Sequence, residues 1–67
     1  MADLANRLKE ARTQRGWTQA DLAARVGVTR KTINTVENGV FTPSTTLALK
    51  LARALETTVE TLFQLTQ

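Results

Sequence analysis

The segment Gln19-Ala20-Asp21-Leu22-Ala23-Ala24-Arg25-Val26-Gly27-Val28-Thr29-Arg30-Lys31-Thr32-Ile33-Asn34-Thr35-Val36-Glu37 reads as two short helices joined at one glycine. Leu22, Ala23 and Val26 form an apolar set before Gly27, and Val28, Ile33 and Val36 form another after it. Four positions meet the requirements of a helix-turn-helix. Ala23 is small enough for the two helices to approach, Gly27 permits the sharp turn, and Ile33 and Val36 lock the second helix onto the first. Between its apolar positions the second helix carries Thr29, Arg30, Lys31, Thr32, Asn34 and Thr35, all able to donate to phosphates or base edges.

The glycines extend this parse in both directions. Leu4, Leu8 and Ala11 recur at helical spacing, which predicts a first helix over about residues 4–15, with Asp3 as N-cap and Gly16 as stop. Thr18 is placed to cap the second helix, with Asp21 reaching back as a box-like partner. Gly27 ends that helix by supplying the left-handed turn position. Thr29 caps the third helix, which runs to about Asn38 and stops at Gly39. Ser44, after the loop Val40-Phe41-Thr42-Pro43, caps a fourth helix bearing Leu47, Ala48, Leu51, Ala52 and Leu55. A fifth, short helix starts at Thr57 or Thr58 and carries Val59, Leu62 and Phe63. The tail Gln64-Leu65-Thr66-Gln67 either frays or pairs as a short strand. The expected class is therefore all-α, a single five-helix domain over residues 1–67.

Composition narrows the chemistry. At 67 residues the chain falls just below the roughly 70–80 at which one core is comfortably stable, so pairing with a second copy would help. There is no cysteine and no histidine, and the six acidic residues are scattered. Disulfides and thiolate metal sites are excluded, and the commonest acid–base group is missing. No metal, no cofactor and no enzymatic activity are expected. No apolar run approaches the roughly 20 residues of a membrane span, and Met1-Ala2-Asp3-Leu4 lacks a signal-peptide pattern, so a cytoplasmic protein is expected. Residues 1–36 hold seven basic and three acidic side chains, a balance of +4; residues 37–67 hold two and three, a balance of −1. The basic part coincides with the two-helix segment, as nucleic-acid binding would arrange it.

The run Leu8-Lys9-Glu10, Gly16-Trp17-Thr18-Gln19-Ala20, Leu22-Ala23, Val26-Gly27-Val28-Thr29-Arg30, Thr32-Ile33-Asn34, Val36-Glu37-Asn38-Gly39, Pro43-Ser44, Leu47-Ala48-Leu49-Lys50-Leu51-Ala52 and Leu55 resembles the Xre-type family of phage-repressor and Cro-like DNA-binding domains. The resemblance continues through Leu62-Phe63. It implies a five-helix, lambda-repressor-like fold that binds double-stranded DNA as a homodimer on a two-fold operator, usually to repress transcription. An antitoxin-type protein, binding a protein toxin as well as DNA, is the alternative it leaves open.

By resemblance, the first turns of the third helix read base edges, which points to Arg30, Lys31, Asn34 and Thr35. Arginine suits guanine, asparagine suits adenine and a threonine methyl suits thymine. Gln19 and Asn38 match phosphate contacts, with Thr18, Thr29 and Thr32 as lesser candidates for capping or phosphate. Val40 fills a slot that is often basic in relatives, which shifts the loop's phosphate grip to backbone groups at Phe41 and Thr42. Arg12 and Glu37 are expected to form an internal ion pair, and Trp17 to pack beside the first turn. Val59, Leu62, Phe63, Leu65 and Leu49 are the candidate dimer surface, some of them shared with the monomer core. Glu56 stands where relatives usually have a helix-ending glycine, so a different connection is expected there. Thr45 and Thr46 also depart from the family pattern, away from the DNA-facing surface.

Overall fold

A computed structural model describes residues 4–66. It contains β1 (Leu4–Asn6), α1 (Leu8–Gln14), α2 (Gln19–Val26), α3 (Arg30–Glu37), α4 (Thr45–Ala54), α5 (Val59–Leu62) and β2 (Phe63–Leu65). The helices α2 and α3 make the most extensive pairing, and α4 packs on α2 and α5. The core is mainly aliphatic, with Phe63 as its aromatic member: Leu8, Leu22, Ile33, Val36, Leu51 and Leu62 are fully enclosed. Each buried side chain of this size contributes about 1.5–3 kcal/mol by leaving water. Trp17 packs half-buried at the edge of this core, with the Arg25 guanidinium 4.0 Å and that of Arg15 5.3 Å from its ring centre.

The caps follow the sequence signals. Thr18 Oγ1 accepts from the Asp21 N–H at 3.0 Å while Asp21 Oδ2 accepts from the Thr18 N–H at 2.8 Å, a reciprocal capping box. The Thr18 N–H, with the Thr18 hydroxyl beside it, holds the Asp21 carboxyl below its ordinary value. Thr29, Ser44 and Thr58 cap α3, α4 and α5 in the same sense. At Gly27, φ is +75°, and the Val28 N–H turns back to the Ala23 carbonyl at 3.0 Å. That left-handed bend aims α3 across α2.

The two ends of the described chain depart from an all-α reading. Leu4–Asn6 is a strand, and α1 begins only at Leu8; the expected Asp3 cap lies outside the described residues. Of the two readings of the tail, the strand holds: β1 and β2 pair antiparallel with Leu4 opposite Leu65 and Asn6 opposite Phe63. The Arg7 N–H continues this pairing onto the Leu62 carbonyl at 2.8 Å. Leu4 still packs on the core, but from a strand, so tertiary pairing overrides the helical spacing of Leu4 and Leu8. Asn6 explains where the helix starts. Its Oδ1 accepts from the Leu8 N–H at 3.1 Å and its Nδ2 donates to the Val36 carbonyl at 3.0 Å. One side chain thus serves the first turn of α1 and ties β1 to the end of α3. The fold is mostly helical with a small strand pair.

The candidate dimer-surface residues divide between the core and the exterior. Leu62 and Phe63 belong to the monomer core, and Val59 is half-buried against it. Leu49 and Leu65 remain exposed, at 57% and 77%.

The connection after α4 keeps the geometry that a glycine would give it. Glu56 adopts φ +54°, and the Thr57 N–H reaches back to the Ala52 carbonyl at 2.9 Å, the same closure as at Gly27. Its carboxylate accepts from Arg15 Nη2 at 3.1 Å, an exposed pair of small worth. A left-handed bend disfavours any Cβ. The Glu56→Gly variant is therefore expected to be about 1 kcal/mol more stable than Glu56→Ala by urea denaturation. Equal stabilities, or a more stable alanine variant, would count against a left-handed residue 56.

Candidate nucleic-acid interface

The helix α3 buries Ile33 and Val36. At 3.6 residues per turn the opposite side is formed by Lys31, Asn34, Thr35 and Asn38, with Arg30 at the helix start. Arg30, Lys31, Asn34 and Asn38 are exposed and Thr35 is half-buried. Neither Arg30 nor Lys31 has an ion-pair partner among the described residues, where the only salt bridges are Arg12–Glu37 and Arg15–Glu56. The two cations at the start of α3 therefore point outward with no structural partner.

A buried network fixes the orientation of this ridge. Arg12 Nε donates to Glu37 Oε2 at 2.7 Å and Arg12 Nη2 to Glu37 Oε1 at 3.2 Å, a two-pronged pair. Arg12 Nη1 donates to the Trp17 carbonyl at 2.7 Å. The Glu37 side chain is 2% exposed. Gln19 Nε2 completes the network, donating to Glu37 Oε1 and to Asn34 Oδ1, both at 3.1 Å. The α1 helix, the turn before α2, the first residue of α2 and the last residue of α3 thus meet at the Arg12–Glu37 pair.

The hydrogen bonds refine what each candidate can offer. Both amide protons of Gln19 are engaged, so its free side-chain atom is an oxygen, which repels phosphate. A phosphate at this helix start would be met instead by the backbone N–H groups of Gln19 and Ala20, the first two helical residues, which have no carbonyl behind them within the helix. The Asn34 Oδ1 accepts from Gln19 and, at 3.3 Å, from Asn38 Nδ2. Bidentate adenine recognition needs that oxygen free as well as the amide protons. In this arrangement Asn34 presents donors, which match guanine N7 and O6 better than adenine.

The threonines are engaged locally. Thr18 and Thr29 are caps, Thr32 and Thr29 share a hydroxyl contact at 3.1 Å, and Thr35 Oγ1 donates to the Thr32 carbonyl at 2.9 Å. What Thr35 has left to offer is its methyl group. The loop after α3 is held against this same helix, because the Val40 and Phe41 N–H groups both donate to the Thr35 carbonyl, at 3.0 and 3.2 Å. The Phe41 N–H, expected to meet phosphate, is therefore already bonded within the fold. Sequence reasoning missed Asn6 and the sharing of Asn34 between two amides; a lone asparagine before a helix start was the available signal for the first.

Among the described residues there is no cluster of acidic residues able to hold a metal, and no helix is long and apolar enough to cross a membrane.

Comparison with known proteins agrees with this geometry. A family model described as "Helix-turn-helix" matches residues 8–62. The chain is 40% identical over 62 residues to an uncharacterized HTH-type transcriptional regulator, YgzD, of Bacillus subtilis, covering 92% of this chain and 94% of that one. Its structure is similar to the restriction-modification controller protein C.AhdI from Aeromonas hydrophila, with a TM-score of 0.78 and 38% identity over 82% of this chain and 83% of that one. It is also similar to SinR, a master regulator for biofilm formation solved in complex with DNA, with a TM-score of 0.76 and 27% identity over 82% of this chain and 89% of that one. The chain belongs to the helix-turn-helix family of the Xre type.

The buried pair makes a direct prediction. Arg12→Ala or Glu37→Gln is expected to lower unfolding stability by about 3 kcal/mol, because each leaves a buried polar partner uncompensated. A double Arg12→Met, Glu37→Met variant is expected to lose less than either single one. Thermal and urea unfolding of the three variants check this; additive losses would show that the two residues act independently.

Proposed function

We propose that this helix-turn-helix protein is a sequence-specific, double-stranded-DNA-binding transcriptional repressor that acts as a homodimer on a two-fold operator. The observation that carries the reading is the outward ridge of α3. Arg30 and Lys31 have no ion-pair partner among the described residues, Asn34 presents amide donors beside them, and the Arg12–Glu37–Gln19 network holds the whole ridge in one orientation. A preformed row of donors on a short helix suits the major groove, which is wide enough to admit one helix. The resemblance to regulators, one of them solved with DNA, supports the same reading.

Dimension supports the two-fold arrangement. The Cα extents of one chain are 31 × 22 × 20 Å. Two such domains side by side can set their third helices about 34–36 Å apart, one turn of B-DNA. One domain alone covers only one groove. Outside the loop that follows α3, the exposed large apolar side chains among the described residues are Leu65 and Leu49, which are available to join two copies, with Val59 at the margin. Repression follows from occupancy: a dimer over a promoter excludes polymerase without any further domain.

Selection of bound duplexes from a random DNA pool tests the reading and is expected to return a palindrome. Arg30→Ala is then expected to weaken the selected site by about 1–3 kcal/mol and to relax the preference at one position, with little change in non-specific binding. A uniform loss on all sequences would make Arg30 a phosphate ligand. Sedimentation at micromolar concentration is expected to show a dimer that Leu65→Asp dissociates. A wild-type monomer in the absence of DNA would move dimerisation onto the operator.

A further inference from the structure

Apart from the α3 ridge, a second basic surface is built on α4. Its buried side chains, Leu47, Ala48, Leu51 and Ala52, define the inner face of that helix. Helical spacing then sets Thr46, Leu49, Lys50 and Arg53 together on the outer face. All four are exposed and line one shallow cleft. Lys50 and Arg53 also line the adjoining cleft, where they meet Arg25 and Gly27 at the end of α2. Three cations thus border one hollow between α2 and α4. The helix α2 packs on both α3 and α4, and no residue of α3 lines either cleft.

Local structure accounts for only part of this charge. None of the three cations has an ion-pair partner among the described residues. Asp21, one turn before Arg25, is held in the capping box, and Glu56, beyond Arg53, is bonded to Arg15. Arg25 lies over the Trp17 ring at 4.0 Å, and Arg25 and Arg53 each stand in the last turn of a helix, where a cation suits the dipole. Lys50 stands inside α4 beside an exposed leucine and has neither role.

We infer that the outer face of α4 docks an acidic segment of another protein, its carboxylates on Lys50, Arg53 and Arg25 and an apolar side chain on Leu49. The inference goes beyond the DNA reading and does not depend on the operator. Cations of one sign without partners call for a ligand of the other sign, and such complementarity steers and selects a partner. Nucleic acid, a second copy and a different protein are the possible carriers of that charge. Leu49 decides against nucleic acid, because a phosphate backbone sets charge where this face sets an exposed leucine. The sequence decides against a second copy. Its acids, Asp3, Glu10, Asp21, Glu37, Glu56 and Glu60, stand singly, and Asp21, Glu37 and Glu56 are engaged within the fold. No segment of this chain therefore brings two free carboxylates side by side. With Leu49 on the docking face, Leu65 is left to join two copies.

The test selects a displayed pool of short random peptides on the full chain at low salt. It is expected to return peptides with paired Asp or Glu beside a large apolar residue. The tightest is made with a fluorescent label and titrated by anisotropy. The double variant Lys50→Gln, Arg53→Gln is expected to weaken its binding roughly tenfold. Leu49→Ala is expected to weaken it roughly threefold. The double variant Arg7→Gln, Lys9→Gln, which loses the same charge from α1 and its cap, is expected to leave it unchanged. Thermal melting checks that each variant folds; should the first double variant not fold, Lys50→Gln alone is expected to weaken binding roughly threefold. A pool that returns no acidic peptides overturns the inference. Equal weakening by the α1 variant means unlocalised attraction and also overturns it. If the Lys50, Arg53 variant weakens binding to random-sequence duplex DNA as much as to the peptide, the face is a second DNA surface and the inference fails. If it turns a sedimenting dimer into a monomer, the face joins copies and the inference fails.

Discussion

One carboxylate organises the outward ridge of α3. Glu37 closes α3, and its two oxygens take three hydrogen bonds, two from Arg12 and one from Gln19. Because the pair is enclosed, neither partner can be met by water if the other moves, so the geometry is enforced by the penalty for leaving it. The consequence is directional. A short helix such as α3 has little stability of its own, and burial of Ile33 and Val36 fixes which side faces inward but not its tilt. The clamp from α1 through Arg12 fixes the far end of α3, while the left-handed bend at Gly27 fixes the near end. Between those two points the outward ridge has one orientation.

The same network shows why charge and polarity in the sequence do not map directly onto contact with a ligand. Arg12 is as basic as Arg30, yet it is internal. Gln19 looks like a phosphate contact and Asn34 like a reader, yet each has part of its hydrogen-bonding capacity used by the other. Local rules made much of the fold legible: the capping box of Thr18 and Asp21, the caps at Thr29, Ser44 and Thr58, and the turn at Gly27 depend only on near neighbours, which sequence displays. The resemblance supplied the Arg12–Glu37 partnership, which no spacing rule contains.

What sequence did not display depends on partners far along the chain. Leu4 and Leu8 have helical spacing, but Leu4 sits in a strand because Leu65 lies opposite it. Asn6 gains its role from the Val36 carbonyl, and Leu62 and Phe63 are buried in the core formed with the earlier helices. Glu56 shows the reverse case. A residue with no preference for a left-handed bend adopts one because α4 and α5 on either side determine the path. In each of these, long-range packing overrides a local preference worth about 1 kcal/mol or less.

The two-stranded ribbon has a further consequence for how the domain holds together. Helical contacts in this fold are mostly between neighbours in sequence, whereas the ribbon joins Leu4 to Leu65 across nearly the whole described chain. In an unfolded chain, closing so long a loop carries an entropic penalty that three paired residues a side cannot offset. In the folded chain the five helices have already brought those ends together, and the penalty has vanished. The ribbon is therefore a latch that can close only on a finished bundle. Through Asn6 and the Val36 carbonyl, the latch rests against the end of α3 itself.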